Sequence, residues 1–277
     1  VVRIATWNVN SIRTRKHSVI EALHAHDIDV LAMQETKCRD DQFPYEDFEA
    51  AGYEIVHHGL NQWNGVGFAS RLPLADPEMG FAGMPGFTKS TDEPAAHEAR
   101  ALSVTVEGIR LCSVYVPNGR ALDDPHFSYK LSWLDALGSA WNSYRSHPDA
   151  LPLAVMGDFN IAPLPADVGD PAFLGSGTTH TSPAERSALE AFLTTAGLTD
   201  LVRPSVPEGF TFWDYTGGKF PKNHGLRIDF VFGSPECVEL LSGAEILRDT
   251  RRGESPSDHV PVVVELTIDN DDRPMVF

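Results

Sequence analysis

Cysteine is scarce in this chain, and positive charge is outnumbered. The three cysteines, Cys38, Cys112 and Cys237, are odd in number and show no C-x-x-C spacing. That argues against a disulfide framework and a cysteine-built zinc site, and it fits reduced thiols in a cytoplasmic protein. No run of about 18 apolar residues occurs, so no membrane span is expected. Residues 1–5 open directly into a strand with no charged and apolar leader ahead of them, so no secretory signal is expected. No low-complexity tract, short-period repeat or Ser/Gly-rich linker divides the chain. One domain over residues 1–277 is expected, with a short acidic tail from about residue 268.

Against 39 Asp and Glu there are only 22 Lys and Arg, a formal net charge of −17. Such an excess argues against a general binder of nucleic acid. The basic residues are nevertheless grouped. Arg13, Arg15 and Lys16 form one cluster, the acid-free stretch 219–227 a second, and Arg248, Arg251 and Arg252 a third. A molecule acidic on its back and basic around one site satisfies both facts. Its affinity for a polyanion would be modest and strongly salt-dependent.

With 42% hydrophobic residues the chain can bury a sizeable core. Strand-like runs fall at 3–7, 30–34, 53–57, 66–69, 102–106, 111–115, 153–156, 228–232 and 260–266, and helix-like stretches at 17–25, 126–144 and 183–196. Ser182 with Pro183 and Glu185 predicts a helix start, and Gly197 a stop. Several strands follow one another without a helix between them, which predicts mixed or antiparallel sheets covered by helices in an α/β fold. The polar stretch 83–96 is expected to be a long, mobile loop.

A small set of polar residues recurs just after apolar strands. Asn8 and Asn10 follow 4–7, Glu35 follows 30–34, and Tyr115 ends 111–115. Asp158 and Asn160 follow 153–157, Asp229 lies inside 226–232, and Asp258 and His259 precede 260–264. Singly, each is an ordinary turn or helix cap. Asp229, flanked by Ile228 and Phe230, needs a partner if it is buried. Together, strand ends along one sheet edge converge, and one site explains the set better than many coincident caps.

The chemistry of such a cluster follows from its atoms. Oxygen ligands from Glu35, Asp258 and Asn8 suit a hard cation, Mg²⁺ or Mn²⁺ in preference to Zn²⁺. Such an ion neutralises charge on a phosphate during in-line displacement. Asp229 beside His259 would fix the imidazole tautomer and stabilise its cation. Asp158 would orient and deprotonate the attacking water, a role worth about 10²–10⁴ in rate. Asn160 would hold that carboxylate or the phosphate, and Tyr115 would donate to a phosphate oxygen.

Six segments in one order, 7–13 (Trp-Asn-Val-Asn-Ser-Ile-Arg), 34–37 (Gln-Glu-Thr-Lys), 115–119 (Tyr-Val-Pro-Asn-Gly), 157–160 (Gly-Asp-Phe-Asn), 225–229 (Gly-Leu-Arg-Ile-Asp) and 257–259 (Ser-Asp-His), span nearly the whole chain. The set resembles the exonuclease III family of abasic-site endonucleases, within the endonuclease/exonuclease/phosphatase superfamily. The resemblance implies a four-layer α/β sandwich, two mixed sheets face to face with helices outside. It implies a Mg²⁺-dependent hydrolase that cuts double-stranded DNA 5′ to abasic sites and clears blocked 3′ ends, with 3′→5′ exonuclease activity a further expectation. A monomer, nucleoid-associated in a bacterium, is expected.

By position, the resemblance makes Glu35 the main metal ligand with Asn8 and Asp258 nearby. Tyr115, Asn118, Asn160 and His259 become phosphate contacts, Asp158 the water-activating residue and Asp229 the partner of His259. Asn10 stands where some relatives carry Asp. In relatives an aromatic in the segment 209–215 lines a pocket for a flipped-out abasic sugar, and such a pocket rejects a nucleotide that keeps its base. Phe212 is the expected wall, Trp213 the second choice and Leu226 the opposite side, although Trp213 and Tyr215 equally admit core packing. Arg13 and Arg227 are expected near backbone phosphates. Two other readings use the same residues. A phosphatase of small phosphorylated molecules would act on inositol phosphates and not on DNA, and a silent DNA-binding module would bind without turnover.

Overall fold

The computed structural model describes residues 1–90, 92–174 and 177–268. The acidic stretch 269–272 lies outside them. Apolar residues alternate along the strands and generate layers. In β1 (Val2–Asn8), Ile4 faces one side while Ala5 and Trp7 face the other. In β8 (Leu153–Asp158), Ala154 and Met156 take one face, Leu153 and Val155 the other.

Two six-stranded sheets result. The first runs β11 (Leu241–Ile246), β12 (Val262–Leu266), β1, β2 (Val30–Gln34), β4 (Val66–Ser70), β3 (Glu54–His58). The second runs β5 (Ala75–Met79), β6 (Ala101–Val106), β7 (Ile109–Tyr115), β8, β10 (Asp229–Gly233), β9 (Thr199–Asp200). Both are mixed. β1 is parallel to β2 and antiparallel to β12, and β8 is parallel to β7 and antiparallel to β10. Ile4, Ala32, Phe68 and Val264 of one sheet meet Val104, Leu111, Met156 and Val231 of the other in the central layer. Helix α1 (Ile12–Ala25) and α2 (Tyr45–Ala50) cover the outer face of the first sheet through Val19, Leu23 and Phe48. Helices α3 (Pro125–Arg145) and α4 (Pro183–Ala196) cover the second through Trp133, Leu137, Leu189 and Phe192. This is the four-layer sandwich the resemblance implies. No described helix is long and apolar enough to cross a membrane.

Differences in element ends have physical causes. α4 keeps its expected bounds because its signals are local: Ser182 Oγ accepts from the Glu185 amide, and Gly197 takes φ 63°. α1 begins at Ile12, not at 17. Its first turn has no side-chain cap, and the amides of Ser11 and Ile12 donate to the carbonyls of Glu35 and Thr36. β5 (Ala-Asp-Pro-Glu-Met) and β11 (Leu-Ser-Gly-Ala-Glu-Ile) lack strand composition and form as sheet edges on a partner strand. α2, α5 (Pro235–Leu240) and β9 are too short to leave a periodic signal in the sequence. The stretch 83–96 is not free throughout: Phe87 and Ala96 pair through two backbone hydrogen bonds, and the Phe87 ring packs on His126 and Tyr129.

Candidate active site

The carboxyl ends of β1, β2, β7 and β8 and the start of β10 lie at the same end of the sandwich. Strand register brings Tyr115 and Asp229 to either side of Asp158. From the other sheet, Asn8 pairs with Gln34, and Glu35 follows at φ 50°. That left-handed backbone, uncommon for glutamate, turns the chain at the strand end.

Asn8 joins the two sheets. Its Nδ2 donates to Glu35 Oε1 at 2.8 Å and to Asp158 Oδ2 at 2.9 Å. His259 approaches the same carboxylate oxygen, its Nε2 3.7 Å from Asp158 Oδ2. Its Nδ1 donates to Asp229 at 2.8 Å. Thr211 Oγ1 donates to the same Asp229 carboxylate at 2.6 Å, so the buried charge is paired twice. Ser257 Oγ donates to the Asn8 carbonyl, and Trp7 Nε1 to the His259 carbonyl. Glu35, Asp158 and His259 offer ligand atoms within 4.8 Å of one another, the only such cluster among the described residues.

Electrostatics divide these groups into roles. Burial opposes a charged His259, but the carboxylates of Asp229 and Asp158 outweigh it and raise its pKa to about 10. The ring is therefore a cation at neutral pH, and oxygens are the remaining donors for a metal. Burial also works to raise Glu35. The Lys37 ammonium at 2.8 Å and the Asn8 amide win, and the carboxyl sits below its usual range. For Asp158, burial raises the pKa, with Asp229 and Glu35 adding to the rise and His259 and Asn8 opposing it. Burial, reinforced by Glu35 and Asp158, holds the Tyr115 hydroxyl well above its normal value, so it stays a donor. The Arg100 guanidinium lies 4.8 Å over the Tyr115 ring and fixes it.

Asn160 is buried at φ 53°. Its amide N–H donates to Asp158 Oδ1 at 2.9 Å, and Asn118 Nδ2 donates to its side-chain oxygen at 3.3 Å. Asp258 stands outside the tight cluster. Asn10 Nδ2 donates to Asp258 Oδ1 at 3.0 Å, and Lys37 Nζ donates to Asn10 Oδ1 at 2.6 Å. Asp258 thus reaches Glu35 through Asn10 and Lys37. Arg13 is exposed in the first turn of α1.

The Phe212 ring lies 4.9 Å from the His259 imidazole, half-buried, and its backbone pairs with Leu226 and His259. Leu226 is fully buried with Ala162 and Ile228 behind Phe212. Leu226 thus backs Phe212 and does not face it across a pocket, which corrects one expectation, and two more fail. Trp213 is completely buried against Phe220 and Phe210, so it forms no pocket wall. Arg227 is 1% exposed, donates to the Val206 carbonyl and lies over Phe230, so it does not face a phosphate. The residue alternation of an extended segment turns both inward. Tyr215, for which core packing is admissible from sequence, is half-exposed. Its hydroxyl donates to the Pro256 carbonyl and accepts from Arg15. Lys37, Arg100, Thr211 and Tyr215 take roles here that sequence reasoning does not assign them. Lys37 lies inside the 34–37 segment and Thr211 and Tyr215 inside 209–215, whereas nothing in the sequence marks Arg100.

Residues 5–259 match the sequence pattern of the Endonuclease/Exonuclease/phosphatase family. The chain is 29% identical over 276 residues to exodeoxyribonuclease III of Haemophilus influenzae, covering 95% of this chain and 99% of that protein. Among solved structures, a 3′ phosphatase from Neisseria bound to a product DNA hairpin superposes with a TM-score of 0.87 at 36% identity, over 96% of this chain and 99% of that one. An AP endonuclease from Archaeoglobus fulgidus gives a TM-score of 0.84 at 32% identity, over 96% and 99%. Pattern, identity and superposition span the same residues that carry the polar cluster, and the chain belongs to the endonuclease/exonuclease/phosphatase family, in its exodeoxyribonuclease III branch, as a phosphodiester hydrolase.

Proposed function

We propose that this protein is a single-domain, monomeric DNA-repair phosphodiesterase that incises double-stranded DNA 5′ to abasic sites, clears 3′-blocking groups including phosphate, and has 3′→5′ exonuclease activity. The observation that carries this reading is the continuous chain Asp229–His259–Asp158–Asn8–Glu35, assembled from both sheets at one end of the sandwich. Asp158 orients and deprotonates the water. The His259 cation, Asn160, Asn118 and the Tyr115 hydroxyl bind phosphate oxygens and stabilise charge developing on them. Asp229 keeps His259 cationic and oriented.

The donor set fits a hard divalent ion, because once His259 is committed to Asp229 the remaining ligands are carboxylate and amide oxygens. Glu35 would hold Mg²⁺, with Asn8 and Asp258 nearby and Mn²⁺ able to substitute, and the chemistry supplied when the ion is bound is neutralisation of phosphate charge. Phe212, backed by Leu226, forms the apolar wall that admits a bare sugar beside His259. The Archaeoglobus AP endonuclease supports the abasic substrate, and the Neisseria 3′ phosphatase the 3′-end activity. Asn10 lies on the rim where a strand would run, and the exposed Arg13 follows it in the first turn of α1.

The test is cleavage of an end-labelled duplex carrying one abasic analogue, beside an intact duplex, with Mg²⁺ and then with EDTA. Incision 5′ to the lesion, faster than on intact DNA and stopped by EDTA, is expected. No incision in any divalent metal would sink the reading, and inositol phosphates would then be the substrates to try.

A further inference from the structure

Helices α3 and α4 bury one ion pair completely. Lys130 Nζ lies 2.5 Å from Glu185 Oε1, and neither side chain is exposed. Burying such a pair gives little net stability compared with apolar residues of the same size, so its location calls for a reason. An ammonium has three N–H donors, and here all three have partners. Besides Glu185, Lys130 donates to the carbonyl of Asn160 at 2.7 Å and to that of Asn118 at 3.1 Å. These are the two asparagines read above as phosphate contacts.

The surroundings are built around this grip. Gly119 has φ 91°, and a Cβ there would come within 3.2 Å of Lys130 Cδ, so glycine lets the loop lie on the lysine stem. The Asn160 carbonyl also accepts from His180 Nδ1 at 2.6 Å, while Glu185 accepts from the amides of His180 and Ser182. The peptide N–H of Asn160 donates to Asp158. One residue therefore has its carbonyl fixed by Lys130 and its amide fixed to the carboxylate that handles water.

We propose that Lys130 is a positioning residue for the hydrolysis: from helix α3, its ammonium sets the backbone of Asn118 and Asn160 so that their side chains and the Asp158 carboxylate meet the phosphate in register. The inference rests on the function proposed above. Glu185 fixes the ammonium and keeps its charge paired.

The test is the double variant Lys130→Met/Glu185→Gln, which removes both buried charges together while the introduced glutamine's amide oxygen can still cap α4. Abasic-duplex cleavage is measured for wild type and variant, each equally far below its own Tm. The expected result is a kcat lower by about 10- to 100-fold, with KM for DNA changed by less than about threefold, because loss of register acts on the transition state. Lys130→Arg/Glu185→Asp, which keeps both charges and the summed length, is expected to restore most of kcat. It serves as the comparison if the first variant does not fold, and a folded charge-conserving pair as inactive as a Lys130→Met variant would count against the proposal. A folded double variant with wild-type kcat, or a loss that vanishes once the distance from Tm is matched, overturns it. A wild-type protein inactive on DNA in every divalent ion overturns the functional reading first, and this inference with it.

Discussion

Asp158 is held by three neighbours with different demands. Asn8 and the Asn160 amide donate to it, and the His259 cation lies within 3.7 Å. Burial nevertheless lifts its pKa, so the carboxylate is kept where it is least comfortable and most basic. Asp158→Asn keeps the shape and removes the base. We expect kcat on an abasic duplex to fall by at least about 10²-fold, while Tm holds or rises because a neutral amide replaces a buried charge. Full activity in this variant, measured in a steady-state incision assay, would refute the role. Phe212 belongs to the same scale. Phe212→Ala opens the wall beside His259 and should lower kcat/KM on abasic duplex by about tenfold, the size of a lost apolar contact in a discriminating pocket. Removal of a 3′-phosphate, which needs no such pocket, should change much less. Equal losses on both substrates would assign Phe212 to general packing.

At the scale of elements, two buried histidines join the helices to the loops that carry the site. His126, at the start of α3, accepts the Gly119 amide on Nδ1, a bond only the neutral ring can make. Burial, with Arg100 and Arg120 nearby, holds its pKa down at about 4. His180 is likewise held at about 4 by burial and by Lys130. The unfolded chain takes up these protons near 6.5. Between pH 6.5 and 4 the unfolded chain therefore binds more protons at these two rings, and their contribution to stability falls as pH falls, by up to about 1.4 kcal/mol per unit for each, against an opposite contribution from the raised carboxyl of Asp158. Urea midpoints at pH 7 and at pH 5 test this: a clear drop is expected, smaller in His126→Asn, and equal midpoints would contradict it. The same scale explains which helix ends were legible. α4 announces itself through Ser182, Glu185 and Gly197. α1 does not, because its first amides are satisfied by carbonyls of the 35–36 turn.

For the whole molecule, the difficulty is a net charge of −17 on a protein proposed to bind a polyanion. Part of the positive charge nevertheless lies beside the site. Arg248 stacks over Trp213 and Phe220, Arg251 over Tyr215, and Arg15 reaches Tyr215 and the Asn10 carbonyl. One basic cluster thus stacks on aromatic rings beside the site, and Arg15 of another donates to the Tyr215 hydroxyl. The surplus of acid repels DNA, so affinity rests on a few local contacts. We expect binding of an abasic duplex, followed by fluorescence anisotropy in Ca²⁺, to weaken by at least about tenfold between roughly 50 and 200 mM salt. Arg13→Ala should flatten that dependence, and a salt-independent Kd would exclude phosphate contacts as its main source.

The strand ends are written locally, as apolar runs followed by Asn, Glu, Asp or His. From these the layered sheets and the residues of the cluster were legible: Asn8, Glu35, Asp158, Asp229 and His259 all lie where the motifs suggested. Which side chains face the site depends on how the segments pack. Phe212 faces it while Trp213 and Arg227 turn inward, since a one-residue step in an extended segment reverses direction and no local pattern records its register. Tertiary structure alone also paired Lys130 with Glu185, 55 residues apart, and set their charge beneath Asn118 and Asn160. In sequence a lysine and a glutamate on two helices look like surface residues, and burial that depends on how distant helices pack is a property of the whole fold.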